Sequence, residues 1–191
     1  MKPGEMKPIA IALLAISAAA GADDRFTREL EDAARVASVM VDGDACRRIV
    51  TARAMDYLLR TDPADRFLAS DNYEVNRDAF DYVKKTLIRI SHLVSLPADA
   101  NLWMPIPGDS GKIRVVIRNA NELSQFWPWG ALYQDMIPEM KAVLDNGRRV
   151  TVARKPGWVS VLAPVADSLG DIVAVVEIAS QRQLDPHENV K

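Results

Sequence analysis

The spacing of hydrophobic residues divides the chain into a helical first half and a strand-rich second half. Over residues 23–95, apolar side chains recur mostly at steps of three and four, which is typical of amphipathic helices. Over residues 100–180, short apolar runs are separated by Gly, Pro and Asp, a pattern that predicts strands and turns. Helices followed by strands indicate an α+β fold.

The first half is predicted to form three helices. The first runs from about Arg25 to Val41 and carries one apolar stripe. Asp42-Gly43-Asp44 breaks it, and we expect the glycine to take a positive φ at the helix end and the second aspartate to cap the next helix. That second helix ends at Thr61-Asp62-Pro63. The third spans about Tyr73 to Val94.

The second half is predicted to form about five antiparallel strands. Strands two and three are separated by a connection over residues 120–137 and by a short helix. This helix is started by Pro138 and closed by Asn146-Gly147. The last two strands are apolar on both faces, so they should lie centrally in the sheet. The predicted strands are Ala100 to Pro105, Ile113 to Asn119, Arg149 to Arg154, Trp158 to Val165, and Ile172 to Ser180.

Residues 1–22 have the pattern of a secretory signal peptide. Lys2 and Lys7 precede an apolar run from Ile9 to Ala22, which ends in the A-x-A-like site Ala20-Gly21-Ala22. As a helix the run would reach roughly 21 Å, short of the roughly 30 Å hydrocarbon core of a membrane. We therefore expect a periplasmic or secreted protein, the alternative being an N-terminal membrane anchor. Residues 23–180 would form one domain, and residues 181–191 a flexible tail.

The composition of the chain disfavours several classes of function. Lys and Arg number 24 and Asp and Glu 26, a net charge of −2, which disfavours nucleic-acid binding because phosphate contacts need cationic surface. The single cysteine, Cys46, excludes an intrachain disulfide. The sequence contains two histidines and no familiar nucleophile, phosphate-loop, zinc or dinucleotide motif. We therefore expect a protein that is not an enzyme and that carries no cofactor and no metal.

Two segments resemble a known family. Val41-Asp42-Gly43-Asp44, after a long helix, is similar to a turn of the extracytoplasmic single Cache domains, which are PAS-like sensor modules of bacterial receptors. Residues 157–178 are similar to the closing hairpin of that family: an aromatic strand, a turn with Asp and Gly, and an apolar strand. The resemblance implies a helical cap on a PAS-like antiparallel sheet. It also implies a ligand pocket under residues 120–137.

The candidate pocket combines aromatic walls with polar groups. Alternation along the second predicted strand places Arg114 and Arg118 on one face, where two guanidinium groups could clamp the carboxylate of an organic acid or amino acid. The alternatives are that the aromatic residues fill a small core and that the arginines lie on a solvated outer face. The candidate ligand-binding residues are Trp103, Arg114, Arg118, Trp127, Trp129, Tyr133, Trp158 and Ser160.

The function that these patterns favour is a non-catalytic sensory module that binds a small molecule or a signalling partner. Its partner would be a membrane sensor or receptor. The first helix would form a homodimer or would dock its stripe on the sheet. The alternatives are a structural or interaction protein with a filled core and no ligand, and a hydrolase or transferase with an unrecognised site.

Overall fold

The computed structural model describes residues 25–60, 75–127 and 131–182. These residues form five helices and six strands. The helices are α1 (residues 25–40), α2 (Gly43–Ile49), α3 (Ala52–Arg60), α4 (Arg77–Ser91) and α5 (Pro138–Asn146). The strands are β1 (Ala98–Ile106), β2 (Asp109–Ile117), β3 (Gln134–Asp135), β4 (Val150–Val152), β5 (Trp158–Ala166) and β6 (Ile172–Gln181).

The strands form one antiparallel sheet in the order β3-β2-β1-β6-β5-β4. The α+β prediction is confirmed. The sheet has six strands in the described part of the chain, rather than about five, because Gln134–Asp135 pairs with Lys112 and Ile113 at one edge. Strands β5 and β6 each have a neighbour on both sides, which confirms the central position expected from their two apolar faces.

Helices α1, α2 and α4 cover one face of the sheet, which we call the helical face. The stripe of α1, including Leu30, packs in one core cluster with Val83 of α4 and with Val176 and Ile178 of β6. The stripe is therefore used inside the chain, as the docking alternative for the first helix required. Burying such stripes is the main source of stability for helices of this length.

Helix α5 and residues 119–127 cover the opposite face, which we call the roof face. Residues 119–127 are called the roof segment below. Phe126 of this segment and Met140 of α5 pack with Trp103, Leu162 and Val175 of the sheet. Helix α5 begins at a proline and is closed by a glycine with φ of 64°, as its sequence predicts.

The turn after α1 differs from its predicted chemistry. The N-cap of α2 is Asp42, whose side chain accepts a hydrogen bond from the backbone N–H of Ala45 at 3.0 Å. The predicted cap, Asp44, instead lies in the first turn of the helix. Gly43 is the first helical residue and does not have a positive φ. Both expectations were therefore wrong, because the helix starts two residues earlier than the pattern suggests.

The close approach of the end of β5 explains why residue 43 is a glycine. A Cβ added to Gly43 would lie 2.3 Å from the carbonyl oxygen of Ala166, at the end of β5. Beside it, the Asp44 carboxylate accepts a hydrogen bond from the backbone N–H of Ser168 at 3.2 Å. The turn before α2 thus packs directly on the β5–β6 turn.

The predicted second helix is two helices. The chain leaves helical geometry at Val50, which forms an isolated antiparallel bridge with Val75. Thr51 then accepts a hydrogen bond from the N–H of Ala54 at 3.1 Å and caps α3. The bridge joins segments distant in the sequence, so the local apolar pattern could not reveal it.

Helix α4 is shorter than predicted, because Asn76 caps it by accepting from the N–H of Ala79 at 3.2 Å. Some predictions lie outside the described residues: the leader (residues 1–22), the break at residues 61–63, Trp129, and residues 183–191 of the tail. Within residues 25–60, 75–127 and 131–182, no helix is both long and apolar enough to cross a membrane.

Candidate functional site

A buried carboxylate lies at the centre of the roof face. Glu177 of β6 is fully buried, and its Oε2 accepts hydrogen bonds from Trp103 Nε1 at 3.0 Å and from Ser124 Oγ at 2.8 Å. Its Oε1 accepts from Ser160 Oγ at 2.8 Å. The backbone N–H of Gln125 also donates to this carboxyl group. Two predicted site residues, Trp103 and Ser160, are therefore brought together by a residue that the prediction omitted.

The direction of each hydrogen bond follows from the neighbours. The indole N–H can only donate. Ser124 Oγ accepts from the N–H of Phe126 at 3.1 Å, and Ser160 Oγ accepts from Gln125 Nε2 at 3.0 Å. Both hydroxyl groups therefore direct their own protons at Glu177. The carboxyl group accepts from four donors, which is the pattern of an ionised carboxylate.

Burial acts against that ionisation. Removing the carboxylate from water raises the pKa of Glu177 above its usual value of 4.5, although the hydrogen bonds from Ser124, Ser160, Trp103 and Gln125 act in the opposite direction. Desolvation is the larger effect. The group is held in place by four donors, yet it takes up a proton at a higher pH than an exposed glutamate.

A second set of polar contacts attaches the start of the roof segment to β1. Asp99, which is fully buried, accepts from the backbone N–H of Leu123 at 2.8 Å and from Asn121 Nδ2 at 2.9 Å. Asn101 Nδ2 donates to the carbonyl of Leu123 at 2.8 Å, and Asn101 Oδ1 accepts from the N–H of Asn119 at 3.2 Å. The roof segment is thus tied to the sheet by side chains that point out of β1.

Gln125 attaches the far end of the roof segment to β4 and the residues after it. Its Nε2 donates to the carbonyl of Val152 at 3.0 Å, and its Oε1 accepts from the backbone N–H of Arg154 at 3.0 Å. Together with the packing of Phe126 on Trp103, these contacts place side chains of the chain itself between the roof segment and the sheet.

The structure does not place the two predicted arginines on one face. A register shift leaves Val116 as an extra residue, because Leu102 pairs with Ile117 while Trp103 pairs with Val115. Val116 and Ile117 both join the core of the helical face. The expected alternation of the second strand was therefore wrong beyond Val116, because Ile117 lies on the same face as Val116.

The side chains of the two arginines consequently have different surroundings. Arg114 pairs with Met104 and lines a cavity beside α2 and α3. The Arg118 guanidinium lies over the ring of Trp127, 4.6 Å from its centroid, in a cation–π contact. The predicted two-arginine clamp is not formed.

The remaining predicted residues are dispersed. Tyr133 is half-buried and packs against a small cluster of Leu58, Ile106 and Leu132. Trp158 is half-buried at the start of β5, with Lys155 Nζ 5.8 Å from its ring centroid. These side chains do not join Trp103 and Ser160 at Glu177.

The cavity beside Arg114 lies between helices α2 and α3, which we call the helical cap, and one end of the sheet. Its volume is about 550 Å³. Arg114 is 1% exposed. The second lining arginine, Arg47, is bound to Asp167 at 2.7 Å. The described lining residues include no aspartate or glutamate and are Arg47, Val50, Ala52, Met55, Met104, Pro105, Pro107, Arg114, Ile172 and Val173.

One of the missed residues had a sequence signal. Glu177 is the only charged residue in the apolar run from Ile172 to Ser180, and a lone charge in a central strand must be paired or hydrogen-bonded. Ser124 and Gln125 carried no such signal, because they lie in a connection without periodicity.

A comparison of the chain with protein-family models found no match, and a comparison with curated proteins also found none.

Proposed function

We propose that this protein is a Cache-like, PAS-like sensory module outside the cytoplasm that binds a small molecule and has no catalytic activity. The observation that carries the proposal is the cavity of about 550 Å³ between the helical cap and the sheet. This volume lies in the range of small-molecule sites, roughly 300–1,000 Å³. Its lining is mainly apolar with a small number of polar groups, as such sites usually are.

The contact between the two resembling segments supports the Cache-like part of the proposal. The Asp42-Gly43-Asp44 turn and the closing hairpin are more than 100 residues apart in the sequence, yet Gly43 packs on Ala166 and Asp44 binds the N–H of Ser168. Two segments chosen only for their likeness to one family thus form one structural unit.

The proposed mechanism uses the helical cap. Residues of α2, α3, β1, β2 and β6 line the cavity, so a ligand there would favour whichever arrangement of cap and sheet it contacts better. The roof segment is already tied to β1, β4 and β6 by the contacts of Asp99, Gln125 and Glu177. We therefore assign the ligand-dependent movement to the cap and not to residues 120–137.

The proposed location and partner follow from the leader. A cleaved signal peptide would deliver the domain to the periplasm or the exterior, where a membrane sensor or receptor would read the state of the cap. Because the stripe of α1 packs on the sheet, a homodimer through this helix would have to use its outer residues, such as Val39 and Met40, which are exposed.

A thermal-shift screen of the purified mature chain tests the binding proposal. Amino acids, carboxylates and nucleobases are added separately, and a ligand should raise the melting temperature in a saturable manner because it binds only the folded state. If no compound produces a saturable shift, the binding proposal is wrong. Steady turnover of generic esters or phosphates that one substitution abolishes would contradict the non-catalytic part.

The second candidate function is a structural or interaction protein without a ligand. The hydrogen bonds around Glu177 and Asp99 favour it, because they fill the roof face with side chains of the chain itself. This candidate predicts that the same screen finds no ligand and that a pull-down identifies a protein partner.

A further inference from the structure

We infer that residues 148–155 bind an extended acidic segment of a partner protein. These residues, which we call the basic edge, are β4 and the two pairs of cations that flank it, Arg148-Arg149 and Arg154-Lys155. None of them lines the cavity beside Arg114. The inference therefore goes beyond the proposed small-molecule function and concerns a protein partner.

The charge of the basic edge favours an anionic partner. Four of its eight residues are cations and none is acidic, although the whole chain has a net charge of −2. All four cations are exposed. Within the part of the chain that the structure describes, neither Arg148 nor Arg149 forms an ion pair. Arginine side chains in this state are well suited to bind carboxylates, because each guanidinium fork matches the two oxygens of one carboxylate.

Two carboxylates of the chain contact the basic edge, and both already have partners there. Glu139 Oε2 binds Arg154 Nη2 at 2.5 Å, and Glu31 Oε1 accepts a hydrogen bond from Thr151 Oγ1 at 3.0 Å. The four cations outnumber these two carboxylates, so the edge keeps a positive charge. Since Arg154 is matched by Glu139, this charge is greatest at Arg148-Arg149.

The position of β4 sets the shape of the partner segment. It is the last strand in the sheet order, and its neighbour on one side is β5, so its other side is an edge of the sheet. Its three residues extend over roughly 10 Å. One pair of cations precedes the strand and the other follows it. A segment that contacts both pairs must therefore be extended, with acidic residues near both of its ends.

Two other partners fit the basic edge less well. A second copy of this chain placed along β4 would set cations against cations in either orientation, and like charges opposed in this way are destabilising. An anionic membrane is bound best where apolar side chains accompany the cations and enter the lipid. In the described part of the chain, every large exposed hydrophobic residue lies outside residues 148–155. We therefore assign the edge to a protein segment.

The test titrates the mature chain with the capped peptide Glu-Glu-Ser-Thr-Ser-Thr-Glu-Glu, whose acidic pairs have the spacing of the two cation pairs. A peptide with Gln in place of Glu controls for charge, and a peptide of the same composition with its four Glu together controls for spacing. For the wild type at low salt, we expect saturable binding of the first peptide in calorimetry. The neutral peptide should bind about 10-fold more weakly and the respaced peptide about 3-fold more weakly. High salt should weaken binding, because it screens exposed charges.

Charge reversals locate the site, all at exposed positions where folding is preserved. We expect Arg148→Glu/Arg149→Glu to weaken binding of the acidic peptide by about 10- to 100-fold and Lys155→Glu by about 3- to 10-fold. The matched control, Lys85→Glu/Arg89→Glu, makes the same change of charge on α4 and should bind as the wild type does. The peptide Lys-Lys-Ser-Thr-Ser-Thr-Glu-Glu should bind Arg148→Glu/Arg149→Glu more tightly than it binds the wild type.

Each unfavourable outcome overturns the inference in a recognisable way. If the acidic peptide does not bind the wild type, or if the two double variants bind it equally well, the basic edge is not a site for an acidic segment. If phosphatidylserine vesicles bind the wild type through Arg148 and Arg149 while the peptide does not bind, the edge is a membrane site and the inference is wrong. The small-molecule proposal is tested separately by the thermal-shift screen, so either proposal can fail while the other stands.

Discussion

Gly43→Ala tests the contact between the turn before α2 and the closing hairpin. At an unhindered helical position, this substitution stabilises a protein by about 0.5–1 kcal/mol, because alanine loses less chain entropy than glycine. In this chain the added Cβ would lie 2.3 Å from the carbonyl oxygen of Ala166 and 2.7 Å from the backbone nitrogen of Asp167. The obstructing atoms are backbone atoms, so no side chain can rotate away, and we expect the sign of the effect to reverse.

The size of the loss can be estimated from what must move. Helix α2 or the β5–β6 turn has to shift by about 1 Å to restore ordinary contact, and overpacking of this kind costs about 1–3 kcal/mol. The shift would also stretch the bond from Ser168 to Asp44, which contributes about 0.5–1.5 kcal/mol. After the gain in helix propensity is subtracted, we expect a net loss of about 0.5–4 kcal/mol, centred near 2 kcal/mol, in the free energy of unfolding.

Urea unfolding followed by tryptophan fluorescence measures this loss. Gly111→Ala is the matched control, because its Cβ would meet only Asp109 Oδ1 at 3.4 Å and its φ needs no glycine. We expect the control to stay within about 0.5 kcal/mol of the wild type, as most surface substitutions do. A Gly43→Ala protein as stable as the control would refute the close approach of the two segments.

Three further predictions concern single side chains. Burial raises the pKa of Glu177, so the stability that this group contributes is complete below about pH 4.5 and is lost as the pH rises through the higher folded-state pKa. The wild type should therefore gain stability relative to Glu177→Gln as the pH falls from 8 to 5. Parallel urea-unfolding profiles of the two proteins would contradict this. Burial, assisted by the charge of Asp42, raises the pKa of the Cys46 thiol to about 12, so its reaction with a disulfide reagent at pH 8 should be on the order of 10³-fold slower than that of an ordinary cysteine; an ordinary rate in the folded protein would be inconsistent with this environment. Asp42→Ala removes the cap of α2 and should cost about 1 kcal/mol in urea unfolding, whereas no loss would mean that another group caps the helix.

Local patterns predicted the parts of the fold that local physics determines. The closing hairpin, α5 and the stripe of α1 follow from turn residues and from periods of two and 3.6, which need no information about distant neighbours. The start of α2 was misplaced because both Asp42 and Asp44 can cap a helix. The choice between them depends on how closely Gly43 can approach Ala166, a tertiary contact that the sequence pattern does not contain.

The candidate site was predicted less well because its geometry is non-local. The extra residue Val116 depends on how β2 pairs with β1, and this single shift separated Arg114 from Arg118. The side-chain donors to Glu177 come from positions 74, 53 and 17 residues away in the sequence. Trp103 and Ser160 were selected as ligand contacts, but in the structure they are hydrogen-bond donors to a carboxylate of the same chain.

Nuclear magnetic resonance of the mature protein tests the position of the ligand most directly. Methyl-labelled Met55 and Met104 report on the cavity, and the indole N–H of Trp103, which donates to Glu177, reports on the roof face. On titration with a compound that the thermal-shift screen identifies, we predict saturable shifts of the two methyl signals and an unchanged indole signal. A shift of the indole signal with unchanged methyl signals would contradict the account.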